Sequence, residues 1–348
     1  MPDVTSVPFL DAAAGRPASH TPVWFMRQAG RSLPEYRALR GSGSILEAIK
    51  VVDLSVELTL QPVRRYGVDA AVLYSDIVVP AHAVGFGIDV APGTGPVCEQ
   101  PLRTAADLQR LRPFEPDTDA DYVIDTVRSL AKELPADVPL LAFAGAPFTV
   151  ASYLIEGRPS RTYEHTKRLM HTNPELWHAV MERLVQHAVA SVDSQLRNGA
   201  RAFQIFDSWA GTLTRAQYDT FVLPHSTDVF QQLRELHPNA PGIHYGVGCD
   251  HLLERMHAAG PKVLGLDWRT PIADARRRMG ADLVVQGNLD PVLALAGTDV
   301  AIAGADAVLA DNAGHPGHIF NLGHGVHPPT DPEVLTAVVQ HVHERTSR

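Results

Sequence analysis

Residues 173–208 read as one helix followed by one buried strand. Asn173-Pro174-Glu175 offers a capping side chain, a proline at the first helical position and an acid in the first turn. Leu176, Val180 and Leu184 recur at helical spacing, and Asn198-Gly199 ends the pattern. Then comes Ala202-Phe203-Gln204-Ile205-Phe206, a nearly continuous apolar run that stops at Asp207-Ser208. Strands covered on both faces read as continuous apolar runs, whereas half-exposed strands alternate.

Working outward, the same unit recurs. Apolar, β-branched runs lie at Val23–Met26, Ala70–Tyr74, Leu140–Phe143, Ile243–Tyr245, Val263–Leu266, Leu283–Gln286 and Ile319–Leu322. Most run into Gly, Asp, Ser, Asn or His, and most are followed by a helical pattern. Thr214-Arg215-Ala216-Gln217 has the form of a capping box, and Asp331-Pro332-Glu333 opens a last helix with Val334, Leu335, Val338, Val339 and Val342 on one face. Strands alternating with helices imply a parallel sheet, and eight such units predict an α/β (β/α)₈ TIM barrel, a single domain over residues 1–348. A doubly wound sheet is the rival, but no G-x-G-x-x-G follows an early strand. Residues 84–119, rich in Pro, Gly and Asp, read as an excursion between two units.

Composition narrows the partners. The formal net charge is −9, which argues against a nucleic-acid partner and requires a local positive patch for any anionic substrate. Two cysteines, Cys98 and Cys249, far apart in sequence, suit a reducing cytoplasm. No apolar run reaches membrane-spanning length and the first residues have no signal-peptide character, so a cytoplasmic protein without a membrane partner is expected.

In a barrel of this kind the chemistry sits at the carboxyl ends of the strands. That rule gathers Arg27, Arg31, Asp76, Tyr153, Asp207, Ser208, Tyr245, Asp267, Asn288 and His324 as candidates. In Trp24-Phe25-Met26-Arg27-Gln28-Ala29-Gly30-Arg31, an apolar run ends at two arginines at the rim of a core. Each has a fixed fork of donors suited to gripping a carboxylate. Asp76, flanked by Val72-Leu73-Tyr74-Ser75 and Ile77-Val78-Val79, reads either as a helix cap or as a recessed functional carboxylate. Ser208 lies in no G-x-S-x-G elbow, so it reads as a hydrogen-bond partner rather than an attacker. His324 stands between glycines that open space around it. His244, Cys249 and His251 cluster in sequence but lack a closely paired H-x-C or C-x-x-C spacing, and no metal is expected.

These motifs, in this order, closely resemble the uroporphyrinogen decarboxylase family almost end to end. The likeness rests on residues 22–36, Ser75-Asp76-Ile77, Phe143-Ala144-Gly145-Ala146-Pro147-Phe148-Thr149, Gly265-Leu266-Asp267-Trp268, Gln286-Gly287-Asn288-Leu289-Asp290-Pro291 and Phe320-Asn321-Leu322-Gly323-His324-Gly325. Asp207-Ser208-Trp209 and Tyr245-Gly246-Val247-Gly248 are local variants. The resemblance implies a homodimeric barrel without a cofactor. It implies a carboxy-lyase of haem and porphyrin biosynthesis that turns the four acetate side chains of uroporphyrinogen III into methyl groups, giving coproporphyrinogen III and CO₂. By motif, Arg27, Gln28, Ala29, Gly30, Arg31, Asp76, Tyr153, Ser208 and His324 would bind the tetrapyrrole, with Asp76 and Arg27 catalytic. A protonated His324 would help hold substrate carboxylates. The same barrel family includes zinc-dependent methyltransferases acting with cobalamin or coenzyme thiols. Those carry an H-x-C ligand pair where this chain has His244-Tyr245-Gly246, which argues against that alternative.

Overall fold

A computed structural model describes residues 6–91 and 93–348. Its main sheet holds seven parallel strands with helices between them: β1 (Ala71–Val72), β4 (Leu140–Gly145), β5 (Ala202–Asp207), β6 (Gly242–Gly246), β7 (Val263–Gly265), β8 (Val285–Gln286) and β9 (His318–Ile319), each paired with the next. The order in space is the order in sequence, the signature of repeated βα units. The excursion expected at 84–119 contains an antiparallel hairpin, β2 (Ile88–Ala91) and β3 (Gly95–Cys98), and two short helices, Ala105–Leu108 and Pro116–Asp119. Its far side is tied to the helix Pro147–Glu156, where Cys98 N donates to Gly157 O and Leu102 N to Leu154 O, both at 2.8 Å.

The first expected strand is reduced to a bridge between Val23 and Phe320. Pro22 O accepts from Phe320 N (2.8 Å), Trp24 N donates to Phe320 O (3.3 Å), and Val23 O accepts from Asp69 N (2.8 Å). Residues 22–24 therefore bond to Phe320, which follows β9, and to Asp69, which precedes β1. The ladder stops there because side chains take over the next amides. Gln28 Oε1 accepts from Phe25 N at 3.0 Å, and Asn321 Oδ1 accepts from Met26 N at 3.2 Å.

The helix signals act as read. Asn173 caps Pro174–Arg197 by accepting from Leu176 N, Thr214 and Gln217 form a reciprocal capping box, and Asp331 accepts from Glu333 N at the start of Pro332–Thr346. Val334, Leu335, Val338, Val339 and Val342 are all buried. Inside the sheet, Trp24 Nε1 donates to Gln286 Oε1 (2.9 Å) and Gln286 Nε2 donates to Gln204 Oε1 (2.8 Å). All three residues are buried, and this chain of donors satisfies the Trp24 indole, both ends of the Gln286 amide and the Gln204 oxygen, leaving Gln204 Nε2 without a partner among the described residues.

Candidate active site

Two loops at the carboxyl ends of the strands are fastened together and carry Arg27 and His324. Val326 N donates to Met26 O at 2.9 Å. Arg27 has φ +61, in the left-handed region that a non-glycine residue rarely adopts. Gly30 makes that turn possible, since a Cβ there would come within 2.9 Å of the Arg27 carbonyl oxygen. The Arg27 stem crosses Gly325, where a Cβ would lie 2.5 Å from Cδ. Arg27 is exposed, a cation on a protein of net negative charge.

Gln28 is buried, and its amide is committed to the fold through Phe25 N and through Ala70 O, to which Nε2 donates at 3.1 Å. Any contact it makes with a ligand falls to its backbone. Ala29 and Gly30 are half-buried in the turn. Arg31 is exposed; among the described residues its side chain has no hydrogen-bond or ion-pair partner, while its carbonyl accepts from Arg37 Nη1 at 2.8 Å.

Asp76 follows β1. Its Oδ1 accepts from Val78 N (3.0 Å) and its carbonyl from Val79 N (3.2 Å), which shapes the entry to the helix Val79–Ala83. Both readings of this residue are thus partly met: one oxygen supports the turn, and Oδ2 has no bonded partner among the described residues. Burial pushes the carboxyl above its ordinary range, against the pull of the Val78 amide and the Arg27 charge.

Tyr153 projects from the helix Pro147–Glu156, its ring edge-on to Trp209 at 6.1 Å. Burial pushes its phenol up to about 12, and Asp76 and Arg27 both act on it. Ser208, half-buried, follows β5 beside Trp209. His324 falls to about 4, first through burial and then through the Arg27 charge. Its Nδ1 accepts from Gly325 N at 2.6 Å, so the neutral ring carries its proton on Nε2. The condition for His324 to hold a carboxylate by charge, a protonated ring, is not met: a recessed imidazole beside a guanidinium is a neutral N–H donor at neutral pH.

Other strand-end candidates serve as scaffold. Asp207 is fully buried and accepts from Thr149 Oγ1 at 2.9 Å. Asp267 accepts from Gly248 N (2.5 Å), Arg269 N (2.9 Å) and Arg269 Nη1 (2.8 Å), joining the loops after β6 and β7. Asn288 donates to the carbonyls of Asp267 and Thr270. Tyr245 donates to Gly323 O at 2.8 Å and pins the loop that carries His324. Asn321 and Gly325 seat the arginine loop, a role the sequence did not show: Gly325 was read only as space beside His324, and Asn321 only as part of the family motif. The His244, Cys249 and His251 grouping does not converge. His244 Nδ1 lies 3.3 Å from Met256 O, and His251 Nε2 lies 2.7 Å from Leu213 O.

One recessed carboxylate, one neutral imidazole and a phenol thus stand close enough for the charge of Arg27 to act on all three. The family model for uroporphyrinogen decarboxylase matches residues 5–345. The chain belongs to the uroporphyrinogen decarboxylase family. A uroporphyrinogen decarboxylase of Salinispora tropica is 53% identical, the match covering 99% of this chain and 92% of the relative. One from Mycobacterium sp. strain KMS is 51% identical, covering 97% of each. Among solved structures, a methyltransferase from Methanosarcina mazei superposes with a TM-score of 0.78 at 19% identity, covering 98% of this chain and 99% of that one. At that identity the likeness concerns the fold alone. Among the described residues, no helix is long and apolar enough to cross a membrane.

Proposed function

We propose that this chain is a carboxy-lyase that removes CO₂ from each of the four acetate side chains of uroporphyrinogen III, giving coproporphyrinogen III. The observation that carries the site assignment is Asp76: a carboxyl raised by burial, with Oδ2 unbonded among the described residues and within the influence of the Arg27 charge. Losing CO₂ leaves an electron pair on the exocyclic carbon, and that pair needs somewhere to go. Protonating a pyrrole carbon makes the ring an iminium-like cation; the departing CO₂ leaves its electrons to neutralise it, the exocyclic carbon takes a proton to become methyl, and the ring carbon gives up its added proton to restore the pyrrole, a net uptake of one proton per CO₂. The substrate ring itself is then the electron sink, and no cofactor is invoked.

Asp76 accepts hydrogen bonds from the pyrrole N–H groups and stabilises the ring cation as it forms, where preorganised charge gains most. Arg27 and Arg31 hold substrate carboxylates, and Arg27 is the candidate proton relay. Neutral His324 donates from Nε2, and Tyr153 and Ser208 donate from their hydroxyls. Gln28, Ala29 and Gly30 line the substrate through the backbone of the arginine turn. Residues 22–24 serve as the eighth strand of a closed (β/α)₈ barrel, one domain over the whole chain. A homodimer in the cytoplasm completes the reading; two unpaired buried cysteines, Cys98 and Cys249, support a reducing compartment. The zinc methyltransferase alternative is not favoured, with glycine at position 246.

The deciding experiment is an anaerobic assay of chelator-treated protein with uroporphyrinogen, followed by mass spectrometry. Products lighter by one to four CO₂ are expected. A macrocycle left unchanged both without and with added zinc overturns the reading.

A further inference from the structure

Three donors meet at the opposite end of the strands. His20 Nε2 lies 2.8 Å from Asp69 Oδ1, and His343 Nε2 lies 2.7 Å from Asp69 Oδ2. The two imidazole rings are 4.2 Å apart between centroids. His20 leads into the 22–24 segment, Asp69 precedes β1, and His343 sits in the last turn of the terminal helix. Among the described residues this is the group of three His, Cys, Asp or Glu side chains whose ligand atoms all lie within 4.8 Å of one another. The side chains of His20, Asp69 and His343 are 21%, 11% and 27% exposed, so a cation reaches them without crossing the core.

The geometry points to a divalent transition-metal site here, with His20 Nε2, His343 Nε2 and one Asp69 oxygen as protein ligands and water in the remaining position. Two imidazole nitrogens and one carboxylate suit zinc, whereas magnesium and calcium demand oxygen. The outer contacts are in place. Val23 N donates to Asp69 Oδ2 at 2.6 Å, orienting the carboxylate, and Ser19 Oγ lies 3.1 Å from His20 Nδ1. With Nε2 bound to metal the ring proton resides on Nδ1, and the serine oxygen accepts it.

Tetrahedral zinc with bonds of about 2.0–2.2 Å separates its ligand atoms by roughly 3.3 Å. With Asp69 Oδ1 as the carboxylate ligand, its 2.8 Å separation from His20 Nε2 must therefore widen by about half an ångström when the cation enters, and His343 Nε2 must exchange its bond to Oδ2 for the cation. Both rings are partly exposed, so each has room to swing outward. A bound cation would tie the chain's first segment, its first sheet strand and its last helix at one point. A ligand taken only by the folded chain stabilises the fold by mass action.

The test uses chelator-stripped full-length chain and zinc alone, by calorimetric titration and thermal melts, with cobalt as a spectroscopic probe. One equivalent of zinc, a saturable rise in Tm and visible cobalt bands are expected. His20→Gln and His343→Gln should abolish all three while melting cooperatively without metal. His237→Gln and His341→Gln, which break two-donor pairs with Asp193 and Asp306, should leave them intact. Equal zinc binding by the His20 and His343 variants, or no saturable Tm rise in the parent chain, overturns the site and leaves the triad a hydrogen-bonded clasp.

Discussion

Arg27 lies across Gly325, its Cδ 2.5 Å from where a Cβ would stand. Two loops separated by nearly the whole chain interlock at this point, and the cation's position depends on a missing methyl group. Gly325→Ala should displace the guanidinium without unfolding the sheet. The expected outcome is a raised KM and reduced turnover, with Tm lowered by less than a core cavity would cost. Wild-type kinetics in this variant would show that the arginine is not held by that contact.

Asp76→Asn should move stability and turnover in opposite directions. Asparagine keeps an oxygen for Val78 N but removes a charge that burial disfavours. The folded-state pKa is raised, so the carboxyl contributes stability below the ordinary carboxylate value and loses it as pH climbs through the raised one. At neutral pH the variant should melt higher than the parent chain while losing roughly 10²–10³ in kcat. A lower Tm, or near-normal kcat, would contradict the role given to this group.

Four histidines, His187, His225, His318 and His324, fall to about 4, each chiefly through burial. The unfolded chain protonates them near 6.5, the folded chain only near 4, so stability is lost as pH falls through that window. The fully enclosed His318 alone contributes a slope of at most about 1.4 kcal/mol per pH unit. Melts from neutral pH down to pH ~4 should show a steep fall in Tm, and His318→Gln should make it shallower. A flat profile would refute the buried-neutral assignment.

Gln28→Leu removes the partner of Phe25 N and of Ala70 O, both interior. Unsatisfied buried groups cost about 1–3 kcal/mol each. Chemical denaturation should report a loss in that range, and kcat should fall because the arginine turn begins at this residue. A variant as stable as its parent would show that water replaces the amide.

Arg31→Lys retains the charge and loses the fork. KM for the octacarboxylate substrate should rise with kcat little changed, since the side chain stands free at the rim. An unaltered KM would remove Arg31 from the binding set.

Much of this could be read from residues alone. Continuous apolar runs ending in polar residues marked the strands, because a strand covered on both faces has no solvent side to alternate with. Proline, glycine and capping side chains marked the helix ends through local geometry. The order of the motifs carried the family. Tertiary structure decided the rest. The first strand survives as a bridge because Gln28 and Asn321 capture its amides, an outcome set by residues hundreds of positions apart. The neutrality of His324 depends on burial and on the charge of Arg27, which no local pattern encodes. His20, Asp69 and His343 look unrelated along the chain. Only the return of the last helix to the start of the sheet makes them neighbours.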